Sequence, residues 1–121
     1  MISTGPILIV EDNAETRDVL QRVLAIRGYG TVTADDGIDA LAYLRGGGVP
    51  SVIVLDMRMP NMDGHAFQRA LKADRRWATI PIVIFSAFPP DDPGDALGVV
   101  RKGSADPDAL LSLIARAYER A

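Results

Sequence analysis

The sequence predicts an α/β fold with a doubly wound, five-stranded parallel sheet. Short apolar runs of strand length alternate with amphipathic stretches of helical period along the chain. Val52–Leu55 is apolar throughout and rich in β-branched residues, which is typical of a central parallel strand. The 121 residues correspond to a single domain over 1–121, since one core usually takes about 100–150 residues.

The first half of the chain predicts two strands, each followed by a helix. Asn13 can cap the first helix, and the second can open at Asp36 or Gly37. The predicted elements are a strand at Pro6–Val10, a helix over 14–27 with core face Val19, Leu20, Val23 and Leu24, a strand at Thr31–Ala34, and a helix carrying Ile38, Leu41 and Leu44.

The second half continues the alternation but lacks one full helix. Three prolines and a glycine in 88–95 disfavour a helix there, so this fourth helix is expected to be shortened to a turn or two starting at Pro93. The remaining elements are the strand Val52–Leu55, a helix capped by Asp63 with Phe67, Ala70 and Leu71 on one face, strands Ile80–Phe85 and Gly98–Arg101, and a last helix opened by Asp106-Pro107 with Leu110, Leu113, Ile114, Ala117 and Tyr118 inward.

Composition excludes several classes of site. The chain has no cysteine and one histidine, His65, which excludes disulfides, thiolate-bound metals and sites with several histidines. The net charge of −3 lacks the basic character of a nucleic-acid binder. No apolar stretch is long enough to span a bilayer and the N-terminus lacks secretory features, so a cytoplasmic protein without membrane association is expected.

Charged and polar residues directly follow the predicted strands. Glu11 and Asp12 follow the first, Asp56 the third, Ser86 the fourth and Lys102 the fifth. Ligands of open parallel sheets bind beyond the carboxyl ends of the strands. If the first and third strands are neighbours, the three carboxylates converge at that edge.

Converging carboxylates require a compensating cation. Two like charges about 5 Å apart repel by about 3 kcal/mol at an effective dielectric of about 20. Oxygen-only ligands favour a hard cation, and Mg²⁺ fits best because it needs few carboxylates and keeps waters that a phosphate can displace. Lys102 offers a compact charge for a phosphate or carboxylate oxygen, although a strand-end lysine can also simply face water. Lys72 is interpreted as a solvated lysine on a helix surface, and His65 as an exposed polar residue at the start of the third helix.

Together these residues resemble the receiver domain of bacterial response regulators. The resemblance covers nearly the whole chain, and the segment around Asp56 is the most specific part of it. The segments that carry it are Ile7-Leu-Ile-Val-Glu-Asp12, Thr33-Ala-Asp-Asp-Gly-Ile-Asp-Ala-Leu41, Val54-Leu-Asp-Met-Arg-Met-Pro-Asn-Met-Asp-Gly64, Ile80-Pro-Ile-Val-Ile-Phe-Ser-Ala87 and Lys102. It implies a flavodoxin-like sheet with strand order 2-1-3-4-5.

The resemblance also implies a role for each site residue. Asp56 would accept a phosphoryl group from a histidine kinase or phosphotransfer protein. Mg²⁺ would be held by Asp12, Asp56 and the backbone carbonyl of Arg58, with Glu11 acting mostly through water. Ser86 would follow the phosphoryl group as the switch hydroxyl, and Lys102 would pair with its oxygens.

The family supplies three further expectations. Such a domain is a signalling domain rather than an enzyme, with at most slow self-dephosphorylation. The first helix, with Val19 and Val23 inward and Thr16 and Arg17 near the site, would be the face on which the kinase docks. Met59-Pro60 and Asp63-Gly64 would shape the loop beside the site.

Three departures from the family lie on one side of the fold. Gly103 follows Lys102 where the family usually has proline, Val99 stands where it often has an aromatic residue, and the stretch from Ser86 to Lys102 is several residues shorter than usual. These departures predict a monomer or weak dimer without a tight activation-dependent interface.

Alternatives remain open at this stage. The first is an interaction module of the same fold that is never phosphorylated. The second is a magnesium-dependent phosphohydrolase with Asp56 as nucleophile, although neither a second acid placed to activate water nor a lid is visible. A flavin binder is disfavoured, because acidic residues after the first strand would repel the cofactor phosphate.

Overall fold

Strands and helices alternate along the chain in the computed structural model, which describes residues 5–103 and 108–120. The elements in these ranges are β1 (Ile7–Val10), α1 (Ala14–Ile26), β2 (Thr31–Ala34), α2 (Gly37–Arg45), β3 (Val52–Leu55), α3 (Gly64–Lys72), β4 (Ile82–Ser86), β5 (Gly98–Arg101) and α4 (Ala109–Arg120). The cap predicted at Asp106-Pro107 lies outside the described residues.

The five strands form one parallel sheet in the order β2-β1-β3-β4-β5, which confirms the predicted fold class. In the register of β1 with β3, Val10 is paired with Leu55. The residues that follow these two strands, Glu11 and Asp56, therefore emerge side by side at the carboxyl edge of the sheet.

Local signals in the sequence place the helix starts correctly. The Oδ1 atoms of Asn13, Asp36 and Asp63 accept backbone N–H bonds from the third residue on, at 2.8–2.9 Å. Two predicted strands start too early, because Pro6 and Pro81 stand immediately before β1 and β4 and lack the N–H that a ladder needs. The fourth strand also extends one residue further, through Ser86.

Helices cover both faces of the sheet. Alternate residues of the central strands enter two apolar clusters, one beneath α2 and α3 and one beneath α1 and α4. Burial on both faces explains why the central strands are apolar without alternation.

Three residues predicted to lie in the core are exposed. Leu20 and Leu24 of α1 are buried, whereas Val19 is 57% and Val23 36% exposed. Residues four apart lie on one row of a helix, and α1 lays only the Leu20–Leu24 row on the sheet. Ile38, in the first turn of α2, is 53% exposed, so that prediction is also wrong.

The segment between β4 and β5 contains no helix. Residues 87–97 are all described, and a single turn, closed by Ala96 N–H on the carbonyl of Pro93, replaces the expected shortened helix. Gln68 Nε2 donates to the Pro93 carbonyl at 3.1 Å, and Lys72 forms an ion pair with Asp95. The segment is thereby attached to α3.

A cavity of about 520 Å³ lies between α3 and this segment. Its lining includes Leu71, Trp77 and Ile82 on the α3 and β4 side, and Asp92 and Asp95 on the segment. None of the helices in the described part of the chain is long and apolar enough to cross a bilayer.

Candidate functional site

The carboxyl edge of the sheet gathers three acidic residues. One carboxylate oxygen from each of Glu11, Asp12 and Asp56 lies within 4.8 Å of the other two. Glu11 and Asp56 are buried, at 2% and 6% exposure, while Asp12 is exposed. The predicted convergence follows from the pairing of β1 with β3.

Asp56 presents its two carboxylate oxygens to different partners. Oδ1 accepts the backbone N–H of Met57 at 2.8 Å, and Oδ2 lies 3.3 Å from Nζ of Lys102. The N–H of Asp56 itself bonds to the Val10 carbonyl, which ties the residue to β1. The carboxylate is therefore held in one orientation at the end of β3.

Lys102 reaches from the end of β5 across the sheet edge. Its Nζ forms ion pairs with Oε1 of Glu11 and with Oδ2 of Asp56. Its backbone N–H donates to the Ser86 carbonyl at 3.0 Å, and Gly103 then turns the chain with a φ of 75°. Burial would lower the pKa of Lys102, but the hydrogen bond to Glu11 and the charges of Asp56 and Glu11 raise it above its ordinary value. The ammonium is thus a fixed cation of the site.

Burying the Glu11 carboxylate beside Asp56 disfavours its charged form. Burial raises its pKa from 4.5 to about 7, and the hydrogen bonds from Lys102 and from the Asn13 N–H offset this only in part. The neighbouring charge of Asp56 contributes to the same raised value. A carboxylate kept out of water beside a second one is stabilised by any additional cation.

Ser86 is buried at 1% exposure at the end of β4, the strand next to Asp56. Its Oγ accepts the backbone N–H of Phe88 at 3.2 Å. The Phe88 ring is 57% exposed, and the guanidinium carbon of Arg58 lies 3.9 Å from its centroid. The Arg58–Phe88 pair therefore lies beside the site, and sequence reasoning missed it because the contact joins two separate loops.

The loop after β3 is held close to Asp56. The N–H of Gly64 donates to the Met57 carbonyl, and a Cβ at Gly64 would lie 2.6–2.8 Å from Met57 atoms and the Asp56 carbonyl oxygen. Asn61 has a φ of 66°, and its Nδ2 donates to Oδ2 of Asp36 at 2.7 Å. This bond, together with the Asp39 N–H, lowers the pKa of Asp36. The shaping role expected of Met59-Pro60 and Asp63-Gly64 stays a prediction, which the close approach of Gly64 to Met57 and Asp56 supports.

Arg17 is the second residue whose contacts the sequence did not reveal. Its Nη1 donates to the carbonyl oxygens of Glu11 and Asp12 at 2.9 and 3.1 Å and pairs with Oδ1 of Asp35 at 3.2 Å. One signal was present in the sequence: a cation near the start of a helix opposes the helix dipole, which indicates a role outside helix stability.

The donor set fits a hard divalent cation. The clustered ligand atoms are carboxylate oxygens at a partly open edge, which is the chemistry that Mg²⁺ prefers. His65 is exposed on α3, and Lys72 is exposed at the far end of that helix, as expected for residues outside the site. Arg58 follows Asp56 by two residues, so its carbonyl belongs to the loop at this edge.

Comparisons with known proteins agree on one family. The family model described as "Response regulator receiver domain" matches residues 7–106. A probable transcriptional regulator, ycf27 of Porphyra purpurea, is 38% identical over 82 residues, which are 68% of this chain but 32% of the relative. The chain thus spans about a third of that relative's length.

Solved structures agree with this similarity. The signal receiver domain of a histidine kinase from Syntrophus aciditrophicus is similar with a TM-score of 0.85 and 30% identity, over 97% of this chain and 92% of that one. The response regulator TrrA of Thermotoga maritima, solved in complex with Mg²⁺–BeF, is similar with a TM-score of 0.82 and 25% identity, over 93% and 98% of the two chains.

Proposed function

Because the chain belongs to the response regulator receiver domain family, we propose that Asp56 is the phosphoacceptor of a two-component phosphorelay and that its phosphorylation switches the conformation of the domain. One observation carries this proposal. Three carboxylates, a lysine ammonium and a buried serine hydroxyl meet at the carboxyl edge of a parallel sheet. Members of this family are signalling domains.

The chemistry assigns the nucleophile to a carboxylate oxygen of Asp56. That oxygen attacks the phosphorus of a phosphohistidine on a kinase or phosphotransfer protein, the P–N bond breaks, and the imidazole leaves with its electron pair and takes up a proton. Met57 N–H holds Oδ1 with a short bond, whereas Oδ2 faces the Lys102 ammonium, which can neutralise the incoming group, so we assign the attack to Oδ2. Lys102 then neutralises charge on the transferred group.

Glu11, Asp12, Asp56 and the carbonyl of Arg58 would hold Mg²⁺. The bound cation would neutralise charge on the acceptor and on the phosphoryl oxygens. The similar TrrA structure, which contains Mg²⁺–BeF, supports this assignment. The raised pKa of Glu11 supports it too, because a divalent cation would stabilise the carboxylate that burial disfavours.

The switch is assigned to Ser86. Phosphorylation adds a charge of about −1.5 to −2 at Asp56, which attracts hydroxyl and ammonium donors. When the Ser86 Oγ turns toward that charge, the N–H of Phe88 loses its acceptor. The change would therefore spread into the segment 87–97.

The partner face is assigned to α1. Val19, Val23 and Ile26 are 57%, 36% and 83% exposed and lie at i, i+4 and i+7, so they form an apolar stripe on the outer side of α1. This corrects the expected inward orientation of the two valines and favours the same surface for docking a helix of the kinase or phosphotransfer protein. We expect no nucleic-acid binding by this chain.

Phosphorylation with a small acyl phosphate donor and Mg²⁺ tests the proposal. We expect an acid-stable, hydroxylamine-labile label on the wild-type protein, lost in Asp56→Asn and kept in the control Asp18→Asn, which alters an exposed carboxylate on α1. Undiminished labelling of Asp56→Asn would place the acceptor elsewhere. A wild-type protein that binds Mg²⁺ but is never labelled, even by histidine kinases, would favour the unphosphorylated interaction module.

A further inference from the structure

The carboxylate of Asp12 is oriented by its backbone rather than by partners of its own. Its side chain is exposed, and within residues 5–103 and 108–120 it accepts no hydrogen bond. Glu11 and Asp56, by contrast, each accept a backbone N–H as well as contacting Lys102. The direction in which its Cα–Cβ bond leaves the backbone is therefore set by the φ and ψ angles of residue 12.

One nitrogen of Arg17 holds both peptide groups beside Asp12. The carbonyl of Glu11 belongs to the peptide that precedes the Asp12 Cα, and the carbonyl of Asp12 belongs to the peptide that follows it. Nη1 donates to both, at 2.9 and 3.1 Å. Holding both peptide planes restricts φ and ψ at Asp12 and so sets the direction of its Cα–Cβ bond.

Arg17 is itself held in place. Its guanidinium pairs with Asp35, the residue that follows β2, and the Asp35 N–H donates to Oδ2 of Asp39 at 3.1 Å. The Arg17 side chain is 19% exposed, although Asp35 is 74% exposed. The ends of β1 and β2 and the start of α1 are thus joined through one guanidinium group.

We propose that Arg17 is a positioning residue that orients Asp12 toward the metal site and thereby sets the affinity for Mg²⁺. The inference rests on the proposed metal-dependent function, but it concerns a residue that never touches the metal. Residues that orient metal ligands typically change metal affinity by 10–100-fold when they are removed. We expect about a tenfold loss of Mg²⁺ affinity when Arg17 is replaced by methionine.

Titration calorimetry with Mg²⁺ alone, without phosphodonor, measures the effect. Arg17→Met should weaken binding about tenfold, and Arg17→Lys should recover part of the loss because an ammonium can still donate to the carbonyls. The control Arg22→Met removes an exposed arginine from the same helix and should leave the affinity unchanged. A drop in the unfolding midpoint of Arg17→Met with unchanged Mg²⁺ affinity would overturn the inference and leave Arg17 a purely structural role.

A double-mutant cycle tests whether Arg17 acts through Asp12. If it does, Arg17→Met should cause no further loss of affinity once Asp12 is replaced by alanine. A full tenfold loss in the Asp12→Ala background would overturn the positioning role. Failure of the wild-type protein to bind Mg²⁺ would overturn the metal site of the proposed function as well, so the two failures are distinguished before any variant is compared.

Discussion

The Glu11 carboxyl is almost completely buried and lies beside the carboxyl of Asp56. A raised pKa makes the folded state bind more protons than the unfolded chain between the two pKa values. Stability from this group is therefore fully present below the unfolded value of 4.5 and is lost as the pH rises through about 7. Hydrogen bonds from Asn61 and from Arg76 lower the pKa values of Asp36 and Asp74, respectively. The stability that these two carboxylates contribute is present above the unfolded pKa of 3.8 and is lost as the pH falls further.

The first prediction concerns the metal-free protein. We expect its free energy of unfolding to fall by about 3 kcal/mol between pH 4.5 and 7, since one pKa unit corresponds to about 1.4 kcal/mol. Glu11→Gln should remove most of this slope, because it removes the desolvated charge. Urea unfolding with a chelator at several pH values measures both proteins, and a wild-type curve that is flat over this range would contradict the assignment.

The second prediction concerns Gly64. A methyl group there would press on Met57 and on the Asp56 carbonyl oxygen at 2.6–2.8 Å, so Gly64→Ala should lower the free energy of unfolding by about 1–3 kcal/mol and displace the acceptor loop. Gly30→Ala is the matched control, because nothing lies within 4 Å of its Cβ. Equal denaturation midpoints for the two variants would show that the loop yields without cost.

At the level of elements, residues 87–97 form a loop bonded to α3 where a shortened helix was expected. Three contacts hold this loop. The Phe88 N–H donates to Ser86 Oγ, Gln68 Nε2 donates to the Pro93 carbonyl, and Lys72 forms an ion pair with Asp95. Three prolines and a glycine explain the missing helix. Movement of Ser86 therefore acts on a segment with few internal hydrogen bonds of its own.

The third prediction uses the one tryptophan of the chain as a reporter. Trp77 lines the cavity between α3 and this segment. Mg²⁺ with beryllofluoride, a phosphoryl mimic, should shift the Trp77 emission and the amide resonances of residues 88–95. Both shifts should be absent in Asp56→Asn and reduced in Ser86→Ala. Amide changes confined to the residues that contact the mimic would contradict transmission from Ser86 to residues 88–95.

Gly103, just after β5, has a backbone conformation that favours glycine. Its φ of 75° lies in the left-handed region, which proline cannot adopt because its ring holds φ near −65°. The sequence showed only that glycine stands where the family usually has proline. The observed turn instead requires glycine-like freedom.

At the level of the whole molecule, the sheet is covered unevenly. α1 and α4 cover one face of the sheet, and α2 and α3 cover the other. The second face is left uncovered at the β5 edge, where Val99 is 36% exposed. A stable protein interface usually buries about 800 Å² on each partner. Without a helix between β4 and β5, the surface around β5 lacks a rigid element to supply that area.

The fourth prediction is that activation produces no tight dimer. Sedimentation velocity at micromolar concentration should show a monomer or a weakly associating species, both with and without Mg²⁺ and beryllofluoride. The Asp56→Asn protein provides the unactivated control. An activation-dependent dimer whose interface maps to residues 91–118 would show that the segment forms a dimer face despite its missing helix.

Much of this protein was determined by the sequence alone, because the relevant interactions are local. Each helix start at Asn13, Asp36 and Asp63 depends on a side chain that bonds three residues ahead. The strands follow from short apolar runs, and the candidate site follows from the residues that come directly after them. The roles of those site residues stay predictions until they are tested.

Only the tertiary structure decided which surfaces meet. The helical period allowed both apolar rows of α1 to be core, and packing on the sheet buried Leu20 and Leu24 but exposed Val19 and Val23. The bonds from Arg17 to the turn after β1 and the bridge from Lys102 to Glu11 depend on how separate elements pack. Such contacts join residues that are distant along the chain, so no local pattern encodes them, and they form only when the whole sheet assembles.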